Sequence, residues 1–352
     1  MAVEEIRTAL EELGQRFGDR RDHYFEVEVG AVEDGVCRLV GSVLDEETLA
    51  TLQAELAGQF AAVRLDMAQV NTLRRQPPQM MTVATNLMSL KGQPATGSET
   101  LSQLRAGETV ERLLLEEKWA FVRQQDGYLG WAYVPYLSDP SLGAPDMAQK
   151  PPPPSHLVAR PVALLRAEPA SNSPLVTRLV AGTAVTVEDH QEGSWARVAA
   201  GGFSPGWLPL AALRARDALP ATAPARRAQM VSDAYDYTGV PYLWGGVSAL
   251  GIDCSGYAQL LHHLSGVTIP RDADMQWRAG EPVEPPFAAG DLLFFGSGRG
   301  HRPISHVGMS LGGWRMIHAS GPRNGVYVDD VQAAGWLGDI FVSARSFLSG
   351  AD

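Results

Sequence analysis

Cysteine is almost missing from this chain, with only Cys37 and Cys254 in 352 residues. Two thiols more than 200 positions apart give no disulfide framework and fit a reducing compartment. Clusters of Lys and Arg are missing too. With 29 basic against 40 acidic residues the net charge is −11, which argues against nucleic acid and an anionic membrane surface as partners. No uninterrupted apolar run approaches the ~20 residues of a membrane span. The opening "MAVEEIRTALEELGQRFGDRRD" lacks a basic stretch followed by an apolar one, so no secretory signal is read there. The expectation is a soluble, cytoplasmic protein.

What the chain does have is punctuation. "LSDPSLGAPDMAQKPPPP" (137–154) reads as a linker whose proline run favours extended geometry. "LPATAPARRAQ" (219–229) reads as a second, Ala/Pro-rich linker, and "RRQPPQM" (74–80) as a weaker break. Four segments follow: 1–75, 80–140, 155–216 and 228–350. In the first, Ile6, Leu10, Leu13 and Phe17 fall at helical spacing. "YFEVEVGAVEDGVCRLVGSV" then alternates like two strands around an "EDG" turn, and a second helix is expected around Glu46 to Phe60. Cys37, within an alternating strand, reads as a small buried residue. The helix–hairpin–helix order resembles a small α/β domain found beside some bacterial envelope modules.

The middle segments are copies of one another. "WAFVRQQDGYLGWAYVPYL" (119–137) and "WARVAAGGFSPGWLPLAAL" (195–213) share W-A-x-V, with a G-W tryptophan twelve positions on. "AGETV" (106–110) matches "AGTAV" (181–185), and Pro94 matches Pro169. Each copy is short, strand-rich and broken by Gly and Pro, which suits a small β-barrel. The pattern resembles the bacterial SH3 (SH3b) domain. The paired tryptophans read as barrel core. Tyr128 sits in the "DGYLGW" turn, where its hydroxyl can face a neighbour; the second copy has Phe203 instead.

The chemistry lies after residue 230. In "GIDCSGYAQLLHHLSG", apolar or aromatic residues at 257, 258, 260, 261 and 264 make a helical stripe. Asp253 is a good N-cap, so Cys254 falls in the first turn, where orphan N–H groups favour a thiolate and can donate to an oxyanion. A nucleophilic cysteine needs a base, usually His, held by a third group. His262 and His263 lie about 12 Å along the helix, too far to take its proton. In "SHVGMSLGGWRMIHASG", His306 alternates with Val307, Met309 and Leu311 and faces away from them. A two-residue loop at 312–313 would turn His318 to the wrong face. A three-residue loop, 311–313, would pair Ser310 with Trp314 and set His306 opposite His318, base beside orienter. As metal ligands, one Cys and His-x11-His match zinc spacing poorly, and no metal or cofactor is expected.

The blocks "YLWGG", "DCSG", "IPRDAD", "AGDLLFFG", "SHVGMSL" and "MIHASG", in order over roughly 235–345, resemble the NlpC/P60 family of papain-like cysteine peptidases. The resemblance implies an α+β fold, with a papain-like catalytic domain preceded by two small SH3-like β-barrels and a small N-terminal α/β domain. It implies Cys254 as nucleophile, His306 as base and His318 as the third group. It implies cleavage of γ-D-glutamyl–diamino acid bonds in murein peptides with a free N-terminal L-alanine. Asp253 would help hold that amine, with Ser255, Tyr242 and Trp244 lining the cleft and Tyr128 closing it. Arg271, of the Arg271–Asp272 pair, would meet the D-glutamyl carboxylate. The competing reading is a wall-binding protein with a decayed peptidase domain; the presence of Cys254, His306 and His318 argues against decay.

Overall fold

The computed structural model describes residues 2–138, 153–296 and 303–348, so the proline-rich stretch 137–154 lies almost wholly outside the described residues. The chain divides into two compact units, Met1–Met81 with Val110–Trp131, and Thr82–Thr109 with Ala132–Asp352.

In the first unit, helix α1 (Ala2–Arg16), strands β1 (Phe25–Glu33) and β2 (Val36–Val43), helix α2 (Glu46–Gln59) and strand β3 (Arg64–Thr72) follow one another. The expected helix–hairpin–helix is there, and Asp45 caps α2 by accepting from the Thr48 N–H. Strand β3 was not expected from sequence. It runs parallel to β2, with α2 as the crossover that a parallel pair needs. Its polar "RLDMAQVNT" carries little strand signal because it is an edge strand, largely solvent-facing. Ile6, Leu10, Leu13, Leu39, Leu52 and Leu56 form the core, and Cys37 is buried among them.

The two middle copies repeat element by element. The first runs β4 (Met80–Val83), β5 (Leu87–Lys91), β6 (Thr100–Arg105), β7 (Thr109–Glu116), β8 (Trp119–Arg123), β9 (Leu129–Tyr133) and β10 (Leu137–Ser138). The second runs β11 (His156–Val158), β12 (Val162–Arg166), β13 (Leu175–Val180), β14 (Ala184–Glu192), β15 (Trp195–Ala199), β16 (Gly206–Pro209) and β17 (Leu213–Ala215). The antiparallel pairs β5–β6, β7–β8 and β4–β10 recur as β12–β13, β14–β15 and β11–β17. Of the repeat tryptophans, Trp207 is buried, while Trp119, Trp131 and Trp195 are half-buried.

The rest of the second unit is helix α3 (Ala223–Tyr235), hairpin β18–β19 (Val247–Ser248, Gly251–Ile252), helices α4 (Cys254–Leu264) and α5 (Ala273–Ala279), strands β20 (Glu281–Val283), β21 (Leu292–Phe295), β22 (His306–Ser310), β23 (Arg315–Ser320) and β24 (Gly325–Asp330), helix α6 (Gly335–Asp339) and strand β25 (Phe341–Ser346). The stretch 219–229 is therefore helical from Ala223, not a linker. Thr222 caps it and Pro224 occupies the first turn, where proline's fixed φ suits a helix. Six strands form one antiparallel sheet, β20-β25-β21-β22-β23-β24. The α4 stripe (Leu260, Leu261, Leu264) packs in one core with Phe294, Val307, Met309 and Ile317. The opposite sheet face packs Phe287, Leu293, Phe295 and Leu337.

Both repeats touch this C-terminal segment within the second unit. Gln103 Oε1 accepts from the Val247 N–H at 3.1 Å, and Arg105 Nη2 donates to the Val247 carbonyl at 3.2 Å. His263 Nε2 lies 3.2 Å from the Gly182 carbonyl. The matched Ala-Gly turns serve as joints. A Cβ on Gly107 would lie 3.3 Å from Gly201 N, in the second repeat, and one on Gly182 would lie 3.1 Å from His263 and 3.3 Å from Leu260, on α4. No helix among the described residues is long and apolar enough to cross a membrane.

Leu261 is fully buried, so Leu261→Ala should destabilise this C-terminal segment by about 2–5 kcal/mol, read as a lower urea midpoint of its transition.

Candidate active site

The site is built on the start of α4. Asp253 is the N-cap, in extended conformation, and its Oδ1 accepts from the Gly256 N–H at 2.7 Å. That puts Cys254 at the first helical position, 8% exposed. The N–H groups of Val307 and Ser255 donate to its sulfur and favour the thiolate. Burial outweighs them, with the Asp253 charge adding to it, and pushes the thiol up to about 12. Against the expected preference for thiolate, burial thus holds the thiol above its ordinary value.

Strand β22 brings His306 next to the Val307 N–H. His306 Nε2 lies 2.6 Å from His318 Nδ1, with the rings edge-on at 4.8 Å between centroids. The face assignment from strand parity holds, but the register does not. Ser310 pairs with Met316, not Trp314, so the turn is two residues longer than expected and Gly308, not His306, stands opposite His318. The Ser310 hydroxyl holds the longer turn open, donating to the Gly313 carbonyl and accepting from the Gly312 N–H, both at 3.0 Å. Gly312 and Gly313 both take positive φ. The His306–His318 contact is consequently diagonal across the ladder. Gly308 makes the diagonal passable, since a Cβ there would lie 2.5 Å from Met316 Sδ and 3.1 Å from His318 Cβ.

Burial, then the neighbouring His318, pushes His306 from its ordinary 6.5 down to about 3. His318, 1% exposed, is also held below the usual histidine range by burial, against the opposing pull of Asp329. Asp329, on β24, was missed in the sequence. Its Oδ2 lies 2.9 Å from His318 Nε2, and its Oδ1 accepts from Arg323 Nη1 at 2.7 Å. Hairpin parity reveals it: Tyr327 pairs with His318, so Asp329, two residues on, shares that face.

The remaining expected site residues separate into three groups. Arg271 is 1% exposed. It forks onto Asp253, with Nη2–Oδ2 at 2.6 Å and Nη1–Oδ1 at 3.1 Å, and also donates to Ser255 Oγ and Ser102 Oγ. Asp253 further accepts from the Gly245 N–H and the Ser255 hydroxyl. Five hydrogen bonds fill a carboxylate that offers about four lone-pair positions. Direct amine contact by Asp253 and carboxylate contact by Arg271 are thus corrected: the two are spent on each other. Asp272 sits at the start of α5, 4.0 Å from Arg271.

Tyr242 does join Cys254. It packs against the core that includes Cys254, and burial, then the Asp253 charge, raise its hydroxyl. Trp244 is 57% exposed, and its Nε1–H donates to Glu99 Oε1 at 2.9 Å. Glu99, exposed on the first repeat, carried no sequence signal because the contact spans 145 positions. Tyr128 belongs to the first unit and is buried, with 2% exposed, rather than displayed on a loop.

A thiol at a helix start, bonded by the N–H next to a strand-borne histidine that a second polar residue holds, is an arrangement suited to nucleophilic catalysis. Residues 239–345 match the NlpC/P60 family and residues 162–213 the bacterial SH3 domain. The chain thus carries an NlpC/P60 domain, with a bacterial SH3 domain ahead of it. It is 27% identical over 276 residues to a gamma-D-glutamyl-L-lysine dipeptidyl-peptidase of Bacillus cereus, covering 75% of this chain and 77% of that protein. It is 39% identical over 119 residues to the protein of the same name from Bacillus subtilis, covering 33% of this chain but 40% of that one. In fold it is similar to the crystal structure of an NlpC/P60 family protein from Bacillus cereus, with TM-score 0.64, 22% identity, and coverage of 76% of this chain and 99% of that one.

A histidine with depressed folded pKa binds fewer protons than the unfolded chain between the two values, so stability there rises with pH. His306 at about 3 and His262 at about 4 both act this way. The chain should lose stability as pH falls from the ordinary histidine value toward 4, seen as a declining urea midpoint.

Proposed function

We propose that the protein hydrolyses the γ-D-glutamyl–diamino acid bond of peptidoglycan-derived peptides that carry a free N-terminal L-alanine. The observation that carries this reading is the thiol of Cys254 at the start of α4, bonded by the Val307 N–H one residue from the His306–His318 pair. The names of the two Bacillus relatives support the choice of bond.

Cys254 hands its proton to His306 as the sulfur attacks the γ-carbonyl carbon. The C–N bond then breaks, and the imidazolium protonates the departing amine. Water, deprotonated by His306, hydrolyses the thioester and restores the thiol. Because Cys254 and His306 both rest neutral, the charge pair forms only as the bond is made. The Ser255 N–H, already at the sulfur, is placed to donate to the developing oxyanion.

The amine is read by Glu99 in this proposal. Its carboxylate is anchored by the Trp244 N–H at the side of the cleft, while Asp253 and Arg271 fix the nucleophile's position. Tyr242 and Ser255 flank the thiol, and Asp272 starts the supporting helix α5. A cytoplasmic setting, which would supply released peptides, is part of the same reading; both described cysteines are free thiols.

Cys254→Ala should abolish release of the diamino acid from L-Ala-γ-D-Glu-diaminopimelate and from its L-lysine counterpart, measured by chromatography; wild-type release would end the mechanism. Acylating the substrate's amine should cost the unaltered enzyme most of its kcat/KM, and equal rates on both forms would remove the free-amine requirement. Glu99→Gln should raise KM for the free-amine peptide roughly 10- to 100-fold, the range of one charged hydrogen bond, and leave the N-acylated peptide unaffected.

A further inference from the structure

A line of three side chains crosses β22, β23 and β24 behind the thiol. His306 Nε2 meets His318 Nδ1 at 2.6 Å, His318 Nε2 meets Asp329 Oδ2 at 2.9 Å, and Asp329 Oδ1 meets Arg323 Nη1 at 2.7 Å. Each histidine contact is a ladder diagonal, since His318 pairs directly with Tyr327 and stands opposite Gly308. Arg323 is itself fixed, its guanidinium 4.2 Å from the centre of the Tyr327 ring.

Donor and acceptor rules leave one arrangement of protons along this line. A carboxylate paired with Arg323 can only accept, so His318 must carry its proton on Nε2. A neutral His318 then has a bare Nδ1, which can only accept, and His306 must donate to it from Nε2. The His306 nitrogen left without a proton is Nδ1, the one nearer its own main chain and hence nearer the Val307 N–H that touches the Cys254 sulfur. From these contacts we infer that Asp329 is a positioning residue, which sets the ring tautomer of His306 through His318 and so aims the basic nitrogen at Cys254.

The inference rests on His306 being the base in the proposed reaction. It assigns Asp329 no contact with substrate. When His306 takes the thiol proton at Nδ1, its Nε2–H bond to His318 is kept, and no second proton moves along the line. An amide at 329 can reverse the whole line. The Nδ2–H of an asparagine would donate to His318 Nε2, His318 would donate from Nδ1, and His306 would have to keep its proton on Nδ1, facing the sulfur.

The test reads ring tautomers by two-dimensional long-range ¹H–¹⁵N correlation at neutral pH, on the full chain with labelled histidines and no substrate. The unaltered protein should show His306 bare at Nδ1 and protonated at Nε2. Asp329→Asn should reverse both rings and lower kcat on the order of 10²- to 10⁴-fold, the upper value being that seen when an amide replaces a triad carboxylate, with KM within about twofold. Asp329→Glu should restore the wild-type tautomer and most of kcat. The inference is overturned if His306 in the unaltered protein carries its proton on Nδ1. It is also overturned if Asp329→Asn changes ring state without kcat, or kcat without ring state. Should Asp329→Asn fail to fold, the tautomer of the unaltered protein and the Asp329→Glu rescue decide. Retained turnover in Cys254→Ala would instead remove the proposed reaction and leave the tautomer reading standing.

Discussion

The site depends on the buried pair between Asp253 and Arg271. Two charges withdrawn from water are costly unless geometry and further hydrogen bonds compensate. Here the fork is bidentate, and Gly245, Ser255, Gly256 and Ser102 complete the donor and acceptor set. One carboxylate therefore starts α4, pins the loop before it, and ties both to the first repeat through Ser102. The position of the Cys254 sulfur follows from that arrangement. Taking away either partner would leave an uncompensated charge beside the thiol, at a cost of about 3–5 kcal/mol.

The same burial that makes the pair costly sets the resting state of the chemistry. Burial pushes the Cys254 thiol up and the His306 ring down, although a carboxylate lies next to one and a second carboxylate lies behind the other. The neighbourhood is charged, and the two proposed reacting groups are not. An apolar surround raises the energy of any ion formed there, so the polar groups that matter are those already aimed at the sulfur and the ring before reaction begins.

Much of this was legible in the sequence because short-range periodicities carry it. The stripe from Tyr257 to Leu264 with Asp253 before it specified α4 and its first residue. Strand parity put His306 and His318 on one face. Register was not legible, because it hangs on the Ser310 hydroxyl stretching the turn, a hydrogen-bond detail that spacing does not encode. Strand β3 escaped because an edge strand needs few apolar residues, and α3 because Ala and Pro read as linker when Thr222 is overlooked as a cap. Asp253 and Arg271 were recognised as a motif but given to substrate; only the structure shows their hydrogen bonds spent on one another. Glu99 depends on packing between segments 145 residues apart, for which no local pattern exists. Asp329 was in reach, since the hairpin that set His318 also set its face.

The Ala-Gly turn found in both repeats has a consequence for how such a chain grows. In the first copy the turn at Gly107 seats against the second copy, and in the second copy the turn at Gly182 seats against α4. The docking surface of each module is thus contained in the repeat itself, pointing toward whatever comes next. A duplication of the unit would have carried its own joint with it, and the new copy could sit between barrel and enzyme without a linker being invented. The counterparts of Gly201 in the first copy is Gln125, at an offset of 76. A side chain at 201 itself would bring its Cβ 2.3 Å from the Gly107 Cα, so the receiving side of the joint needs glycine where the first copy has glutamine.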